Sequence, residues 1–444
     1  MKRNVFLICL FLSCSLALNA APVRVPDSDD IIYEDFFEEN YRSIWDELPE
    51  LEQYAIAFSS NLFELNRQYH LDFTGRTVLG NDSSDPAELL KDSWGITDGQ
   101  GLLDSFNSLE NYGHSGAYKS LSDLLDKYPD KNPFEIAVAE HLSILDITRL
   151  LFVRDTRQAL GIHGIEAWDE GREITIMRWG IASGYITEEE AKGLIAPVVE
   201  RIRQNYINWN DYINHYIQGR RFYGLYDWTL EKLEMWASVA AYSACAYIPL
   251  NSLEFSGENA DTVHEMSSYY RSLPLSNELL DWAEVQKLSN QNVTKSNFEQ
   301  LKKIEQNYSD YSDMFFWMHV VMLRNFGSDS EMVQYVEQHM DYFNSMNKEE
   351  FEYSNSLYYY ISALNYTYHP EKALDVYASQ STSIQMNIHF YYQYAYSNYL
   401  MLNFCQTQAE FEAYKSRAIN AFRLLKQYDY DLGTGIEGWL ESVI

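Results

Sequence analysis

Apolar residues recur every three or four positions along most of this chain, which is the period of a helix with one buried face. Residues 52–66 illustrate the pattern, with apolar side chains at Ala55, Phe58, Leu62 and Leu65. No segment shows the strict alternation of a half-buried strand, so the pattern predicts an all-α fold. The helices predicted for the first part of the chain span residues 52–66, 86–92, 101–112, 119–128, 133–160, 165–183, 187–206, 209–218 and 230–247.

Several of these helices are bounded by residues with a known capping role. Thr187 and Glu190 are predicted to form a capping box, in which each side chain binds the other residue's backbone amide. Asn208 is placed to cap the following helix. Gly161 and Gly219 are predicted to end the helices that precede them.

The C-terminal part is predicted to consist of helical hairpins. Its internal turns lie near Gly327, at 369–370 and at 405–407, about 40 residues apart. A helix-start signal follows each turn: Ser328 with Glu331, Pro370, and Thr407 with Glu410. Two helices per repeat predict a solenoid-like array, and residues 369–374 resemble a tetratricopeptide-type repeat. A plain helical bundle is the alternative.

The amino-terminal segment has the layout of a secretion signal. A basic start precedes an apolar run at residues 5–18, and the small residues Ala20 and Ala21 follow it. The run is shorter than the roughly 20 residues that a membrane-spanning helix needs. We therefore expect a signal peptide at 1–21 and a periplasmic or extracellular protein. Lipid attachment at Cys14 is a weaker alternative, because the residues before it match a lipoprotein processing site poorly.

The chain has 444 residues, which is enough for two or three domains after the signal. The pattern divides it into an acidic linker or arm at 22–50, a helical domain at 51–250, a linker at 251–264 and the hairpin region at 265–444.

The formal net charge of −32 limits the classes of partner. Such a surface repels phosphate backbones and anionic lipid headgroups, so we expect no nucleic-acid partner and no membrane insertion after signal removal. The 36 tyrosines exclude a disordered acidic chain, a class that is poor in aromatic residues. Of the four cysteines, Cys245 and Cys405 lie beyond the signal, and whether they pair is left open.

The chain contains none of the common catalytic or cofactor motifs. There is no His-Glu-x-x-His, no glycine-rich phosphate loop, no Gly-x-Ser-x-Gly and no Cys-x-x-Cys. The histidines are scattered and show no metal-ligand spacing. The sequence thus predicts no cofactor and no metal, and it gives no positive indication of an enzyme.

The candidate site lies between Arg149 and Arg221, where half of the chain's arginines occur with a single lysine and ten acidic residues. Arginine in place of lysine favours planar, bidentate pairing with carboxylates. The candidate ligand-binding residues are Arg172, Arg178, Arg220, Arg221 and Tyr185. The candidate catalytic residues are His114, which we expect on a turn, Asp169 and Glu190. In the alternative interpretation, the charges form a buried network with Trp168, Trp179 and Trp209 that fixes helix packing.

Several separate motifs resemble one bacterial family. They include Trp94-Gly95-Ile96-Thr97, Gly113-His114, Ala167-Trp168-Asp169-Glu170-Gly171-Arg172, Arg178-Trp179-Gly180 and Gly219-Arg220-Arg221-Phe222. In order and spacing they resemble the motifs of the family catalogued as domain of unknown function 1266. The resemblance covers approximately residues 51–250. The resemblance implies a shared module without an established reaction. Family members are generally cytoplasmic, and a secretion signal departs from that pattern.

From these features we expect a non-enzymatic, exported protein of the bacterial envelope that binds another protein or a peptide through residues 265–444. Twelve tyrosines lie between Tyr353 and Tyr399, and such amphipathic rings suit protein contacts. Alternatively, they fill the ridges between helices. The alternative function is a hydrolase or a small anionic-ligand-binding protein with its site within residues 94–222.

Overall fold

The structure is a computed structural model, and its described residues contain helices and turns but no strand, so the predicted all-α fold is confirmed. The chain divides into two compact units, residues 1–290 (unit 1) and 291–444 (unit 2). The predicted signal peptide, the predicted helix at 230–247 and Cys245 lie outside the described residues. The described residues are 42–66, 71–75, 85–225, 248–249, 253–261, 273–290, 294–346, 348 and 351–443.

The described part of unit 1 consists mainly of helices, several of which are joined by short turns. In chain order its described helices are α1 (Arg42–Glu47), α2 (Glu50–Leu65), α3 (Pro86–Trp94), α4 (Gly99–Tyr112), α5 (His114–Lys127), α6 (Pro133–Glu140), α7 (Ile144–Leu160), α8 (Glu166–Ala182), α9 (Glu188–Asn205), α10 (Trp209–Gly224) and α11 (Asn277–Asn290).

Helix α8 is the centre of unit 1. It packs against α2, α3, α4, α5, α9 and α10, and every residue from Ala167 to Ile181 is buried. Around it lies one continuous hydrophobic core that includes Phe58, Trp168 and Ile213. A helix enclosed on all sides usually carries only apolar residues. This one carries five buried charged side chains, and their partners define the candidate site described below.

The predicted end of α10 at Gly219 is wrong, because the helix continues to Gly224. A Cβ atom at Gly219 would overlap the Cβ of Trp168 on α8. The glycine therefore serves close packing between two helices rather than helix termination. The predicted caps at Thr187 and Asn208 are confirmed, since each side chain accepts a hydrogen bond from the expected backbone amide.

The single helix predicted at 133–160 is also wrong, since the chain breaks between α6 and α7. His141 has a left-handed conformation with φ of 53°, which an α-helix cannot continue through. Ser143 then caps α7 by accepting from the amide of Asp146 at 3.1 Å. His114, which was predicted to lie on a turn, is instead the first residue of α5, directly after Gly113, which ends α4.

Unit 2 is a succession of helical hairpins. Consecutive helices meet at Gly327, at residues 367–369 and at residues 402–407. The capping boxes predicted at Ser328 and Thr407 are both formed. The described α-helices of unit 2 are α12 (Lys295–Glu305), α13 (Phe316–Phe326), α14 (Asp329–Gln338), α15 (Met340–Ser345), α16 (Phe351–Tyr366), α17 (Pro370–Ala378), α18 (Thr382–Gln385), α19 (Ile388–Met401), α20 (Gln408–Gln427) and α21 (Thr434–Val443).

Successive hairpins of unit 2 pack on one another, since α14 contacts α16, and α19 contacts both α16 and α17. Helix α11, which the sequence analysis assigned to the hairpin region, packs against α7 in unit 1. Within the part of the chain that the structure describes, none of the helices combines the length and apolar character needed to cross a bilayer.

Candidate functional site

The charged residues buried on α8 are the most unusual feature of unit 1. Asp169, Glu170, Arg172, Glu173 and Arg178 are each at most 4% exposed. A buried charge is costly unless it is paired and hydrogen-bonded. These five residues fall into three separate groups, each with different partners.

Arg178 holds the loop at residues 71–75 in place. Its Nε donates to the carbonyl of Phe73 at 3.1 Å, and Nη2 donates to the carbonyl of Asp72 at 2.9 Å. Nη1 donates to the Ser59 hydroxyl, and the guanidinium lies over the Phe63 ring at 3.7 Å. Burial lowers the pKa of Arg178 to about 9. The structure thus places this predicted ligand-binding residue among acceptors supplied by the chain itself.

Glu170 and Glu173 share one partner, Arg201 of α9. Arg201 Nε donates to Glu170 at 2.9 Å, and Nη2 donates to Glu173 at 2.8 Å. Burial raises the pKa of Glu170 to about 8 and that of Glu173 to about 7, since a single guanidinium offsets only part of the desolvation of two carboxylates.

Asp169 and Arg172 form the third group, together with His114. Arg172 donates from Nη2 to Asp169 Oδ1 and, at 2.8 Å, to His114 Nδ1. The Ser115 amide at the start of α5 donates to Asp169 Oδ2 at 2.7 Å. Although burial opposes ionisation, the charge of Arg172 and the hydrogen bond from this amide hold the pKa of Asp169 well below its usual range. The guanidinium of Arg172 also lies over the Trp168 ring, at 4.5 Å from its centroid.

The hydrogen bond from Arg172 fixes the state of His114. A guanidinium can only donate, so Nδ1 accepts the hydrogen bond from Arg172 and the ring proton must be on Nε2. Burial and the charge of Arg172 lower the pKa of His114 to about 4, so the imidazole is neutral at pH 7. Within the described part of the chain, Nε2–H forms no hydrogen bond, and the side chain is 17% exposed.

Arg149 on α7 acts electrostatically on His114 and was not among the predicted site residues. It is 7% exposed, its guanidinium lies 5.1 Å from the centroid of Phe222, and its charge acts on His114. Its Nε is buried without a hydrogen-bond partner, and no carboxylate among the described residues forms an ion pair with it. Asp146, the carboxylate whose charge acts on Arg149, accepts instead from the Ser143 hydroxyl at 2.8 Å. Burial lowers the pKa of Arg149.

Arg220 completes this region from α10. Its guanidinium lies 5.4 Å from the Trp168 ring and 5.6 Å from the Tyr223 ring, and it has no hydrogen bond or carboxylate partner within the described ranges. Tyr223 also contacts His114, since the centroids of the two rings lie 5.1 Å apart. We call Arg149, His114 and Arg220 the donor cluster.

The remaining predicted residues lie elsewhere. Arg221 donates to Gln218 at 2.8 Å, and exposed Glu190 caps the start of α9. The Tyr185 backbone carbonyl lies beside Gly99 at the start of α4. The predicted tryptophan network is distributed through the core: Trp179 stacks on Phe63, Trp209 stacks on Phe58, and Trp168 alone of the three borders the donor cluster.

The structure thus brings together four predicted residues, namely His114, Asp169, Arg172 and Arg220. Sequence reasoning missed Arg149, although a signal was present. Arg149 follows Leu145 by four positions and precedes Phe152 by three, so it occupies the apolar face of its helix. Among the described residues, no group of three or more His, Cys, Asp or Glu side chains is arranged to hold a metal ion.

Comparison with curated proteins finds two relatives of Escherichia coli (strain K12). The uncharacterized protein YbeR is 28% identical over 137 residues, and the uncharacterized protein YbeU is 29% identical over 135 residues. In both cases the match covers 30% of this chain and 56% of the relative, so the chain spans about half the length of the relatives it matches. No solved structure matches the chain.

The family comparison places the donor cluster within a recognised module. Residues 89–241, about a third of the chain, match a family model, and this range contains Arg149, His114 and Arg220. The resemblance seen in the sequence motifs is therefore confirmed over residues 89–241, which match the family described as Protein of unknown function (DUF1266).

Proposed function

We propose that unit 1 binds a small anion at the donor cluster. The observation that carries this proposal is the buried Arg149 guanidinium, whose Nε has no hydrogen-bond partner among the residues that the structure describes. A buried donor left unsatisfied costs about 1–3 kcal/mol, and a bound ligand that supplies the acceptor removes that cost. Arg220 and the Nε2–H of His114 add two further donors around Tyr223.

The state of His114 supports binding rather than hydrolysis. A histidine that acts as general base in a triad uses a carboxylate to hold the proton on Nδ1 and leaves Nε2 as the acceptor. Here Arg172 donates to Nδ1, which leaves Nε2 as a donor. With a pKa of about 4, His114 is also a poor base near neutral pH.

The test is a thermal-shift screen of the full chain against sodium salts of carboxylates, phosphate and sulfate, with matched sodium chloride as the reference. The proposal predicts that at least one anion raises the melting temperature in a saturable manner, because a ligand that binds only the folded state stabilises it. The increase should be lost in Arg220→Met. Absence of any saturable shift across the panel would overturn the proposal.

A second candidate function, protein or peptide binding by unit 2, is favoured by one specific observation. Tyr366 is 56% exposed and Tyr368 is 67% exposed, and Tyr366 continues into a row of half-buried rings through Tyr396 at 6.2 Å. Large exposed aromatic surfaces of this kind are common in binding sites. Tyr353 and Tyr360, in contrast, are buried and pack in the core of unit 2.

A photo-crosslinking amino acid at position 368 tests this second function in cells that produce the protein. The same label at exposed Tyr112 of unit 1 is the control, since that side chain is 83% exposed. A discrete crosslinked partner from position 368 alone supports the function. Equal labelling from both positions contradicts it.

We also propose that the chain is exported, on the basis of the signal layout at residues 1–21. Fractionation of the producing cells, with the intact mass of the recovered protein, tests this. Export predicts a mass that lacks those residues in the periplasm or medium, and a full-length cytoplasmic protein would contradict it.

A further inference from the structure

We infer that the anion bound at the donor cluster is the carboxylate of a small monocarboxylic acid with an apolar or aromatic body. This inference rests on the proposed function, because it names the ligand class for the same site. Three observations support it: the Arg149 Nε that has no partner among the described residues, the local balance of charge, and the aromatic rings beside the guanidinium groups.

Arg149 offers the geometry that a carboxylate matches. A guanidinium presents parallel N–H groups from Nε and Nη, and two carboxylate oxygens can accept from this edge at the same time. Nε of Arg149 is buried and unpartnered, and no side chain or carbonyl in the described ranges accepts a hydrogen bond from this guanidinium. Within the described part of the chain, the bidentate edge of Arg149 is therefore unused.

The local charge matches a monoanion. Arg149, Arg172 and Arg220 supply three positive charges around the site. Asp169 and Asp146 supply two negative charges, and neutral His114 supplies none. The nearby Glu173 pairs with Arg201, outside this count. Among the described residues one positive charge therefore remains, and a dianion such as HPO₄²⁻ would bury one negative charge in excess, which is unfavourable at low dielectric.

The aromatic rings that pack against these guanidinium groups suit an apolar body on that carboxylate. Phe222 lies beneath Arg149, while Trp168 and Tyr223 lie beneath Arg220. Phe222 is fully buried, and Tyr223 is half-buried. Aromatic faces bind apolar and aromatic groups well but provide few donors for the additional oxygens of a phosphate. The overall charge of −32 also disfavours the approach of multiply charged anions.

Calorimetric titration of the full chain with four probes tests this inference at pH 7: benzoate, acetate, inorganic phosphate and benzyl alcohol. We expect saturable binding of benzoate, weaker binding of acetate because it lacks the apolar body, and no binding of phosphate or benzyl alcohol. Benzyl alcohol retains the ring without the charge and so isolates the contribution of the carboxylate.

Two substitutions of Arg149 locate the site. Arg149→Met should abolish benzoate binding, and Arg149→Lys, which retains charge but lacks the planar edge, should weaken it about tenfold or more. Arg157→Met is the matched control. It lies on the same helix, but its guanidinium pairs with exposed Asp126 at 2.7 Å, so benzoate affinity should be unchanged.

The outcomes separate the ligand class from the proposed function. Phosphate binding that exceeds benzoate binding and requires Arg149 would overturn the carboxylate inference and leave anion binding intact. Benzoate binding that survives both Arg149 substitutions would overturn the placement of the site. Failure of all three anions to bind would overturn the carboxylate inference, and with a negative result in the wider anion panel it would overturn the proposed function as well.

Discussion

Arg172 and Arg178 lie on the same helix but have entirely different partners. At about 100° per residue, positions six apart lie roughly 240° apart around a helix, so the two side chains leave α8 on different faces. Arg172 binds Asp169 and His114, whereas Arg178 binds the loop at residues 71–75. Both were predicted as ligand-binding residues from their residue type. The helical period alone predicts that they lie on different faces of the helix.

The pairing of Asp169 with Arg172 could be predicted, because residues three apart on a helix are neighbours. The approach of His114 to this pair could not. It depends on Gly113, where a Cβ atom would overlap the Asp169 carboxylate, and so on how α4, α5 and α8 pack together. Likewise, the lack of a hydrogen-bond partner for Arg149 among the described residues depends on the folded structure and could not be predicted from the sequence.

Glu170 and Glu173 should make the stability of unit 1 depend on pH. Their folded-state pKa values are raised by burial to about 8 and about 7, above the usual unfolded value near 4.5. A raised carboxyl pKa means that the folded state retains protons that the unfolded state has lost. The free energy of unfolding should therefore fall as pH rises from about 5 to 8.

Urea unfolding followed at intervals across this pH range measures the effect. The double variant Glu170→Gln, Glu173→Gln should show a flatter dependence over the same range, since its side chains cannot lose a proton. An identical slope in the variant and the parent chain would show that other groups govern the pH dependence.

At the scale of helices, capping residues gave the most dependable predictions. Thr187, Asn208, Ser328 and Thr407 each start the helix that the sequence predicts, because the hydroxyl or amide oxygen meets a local backbone amide. Helix ends were less predictable. Gly219 was predicted to end its helix. The position instead requires glycine because Trp168 on another helix leaves no room for a side chain.

Two glycine substitutions should have opposite effects on stability. Gly219→Ala forces a Cβ atom into Trp168, and we expect it to lower the free energy of unfolding by about 1–3 kcal/mol or more. Gly193→Ala in α9 meets no atom within 4 Å, and we expect a gain of about 0.5–1 kcal/mol from the higher helix propensity of alanine. Chemical unfolding of both variants measures the difference. A neutral Gly219→Ala would mean that α8 and α10 do not pack this closely.

At the scale of the whole molecule, each unit has a hydrophobic core of its own. One core surrounds α8 in unit 1, and others join the hairpins of unit 2. Residue patterns predicted hairpins in the C-terminal part because their turns and caps are local. They did not predict that α11 packs against α7, since that contact depends on tertiary structure.

Separate cores predict separable unfolding of the two units. Differential scanning calorimetry should resolve two transitions, and Gly219→Ala should lower the temperature of one and leave the other in place. A single transition that moves as a whole in this variant would contradict independent unfolding.

The central claim, that Arg149 is retained for a ligand, is tested most directly by the stability of the ligand-free Arg149→Met variant. Removing a buried, unpartnered donor relieves a cost of about 1–3 kcal/mol, which is partly offset by loss of the contact with Phe222. If Arg149 is retained for a ligand, Arg149→Met should unfold at the same or a higher urea concentration than the parent chain. The matched variant Arg178→Met, which leaves buried acceptors unpaired, should lose about 3 kcal/mol or more. If Arg149→Met is destabilised as strongly as Arg178→Met, Arg149 supports the fold and the proposed binding site is contradicted.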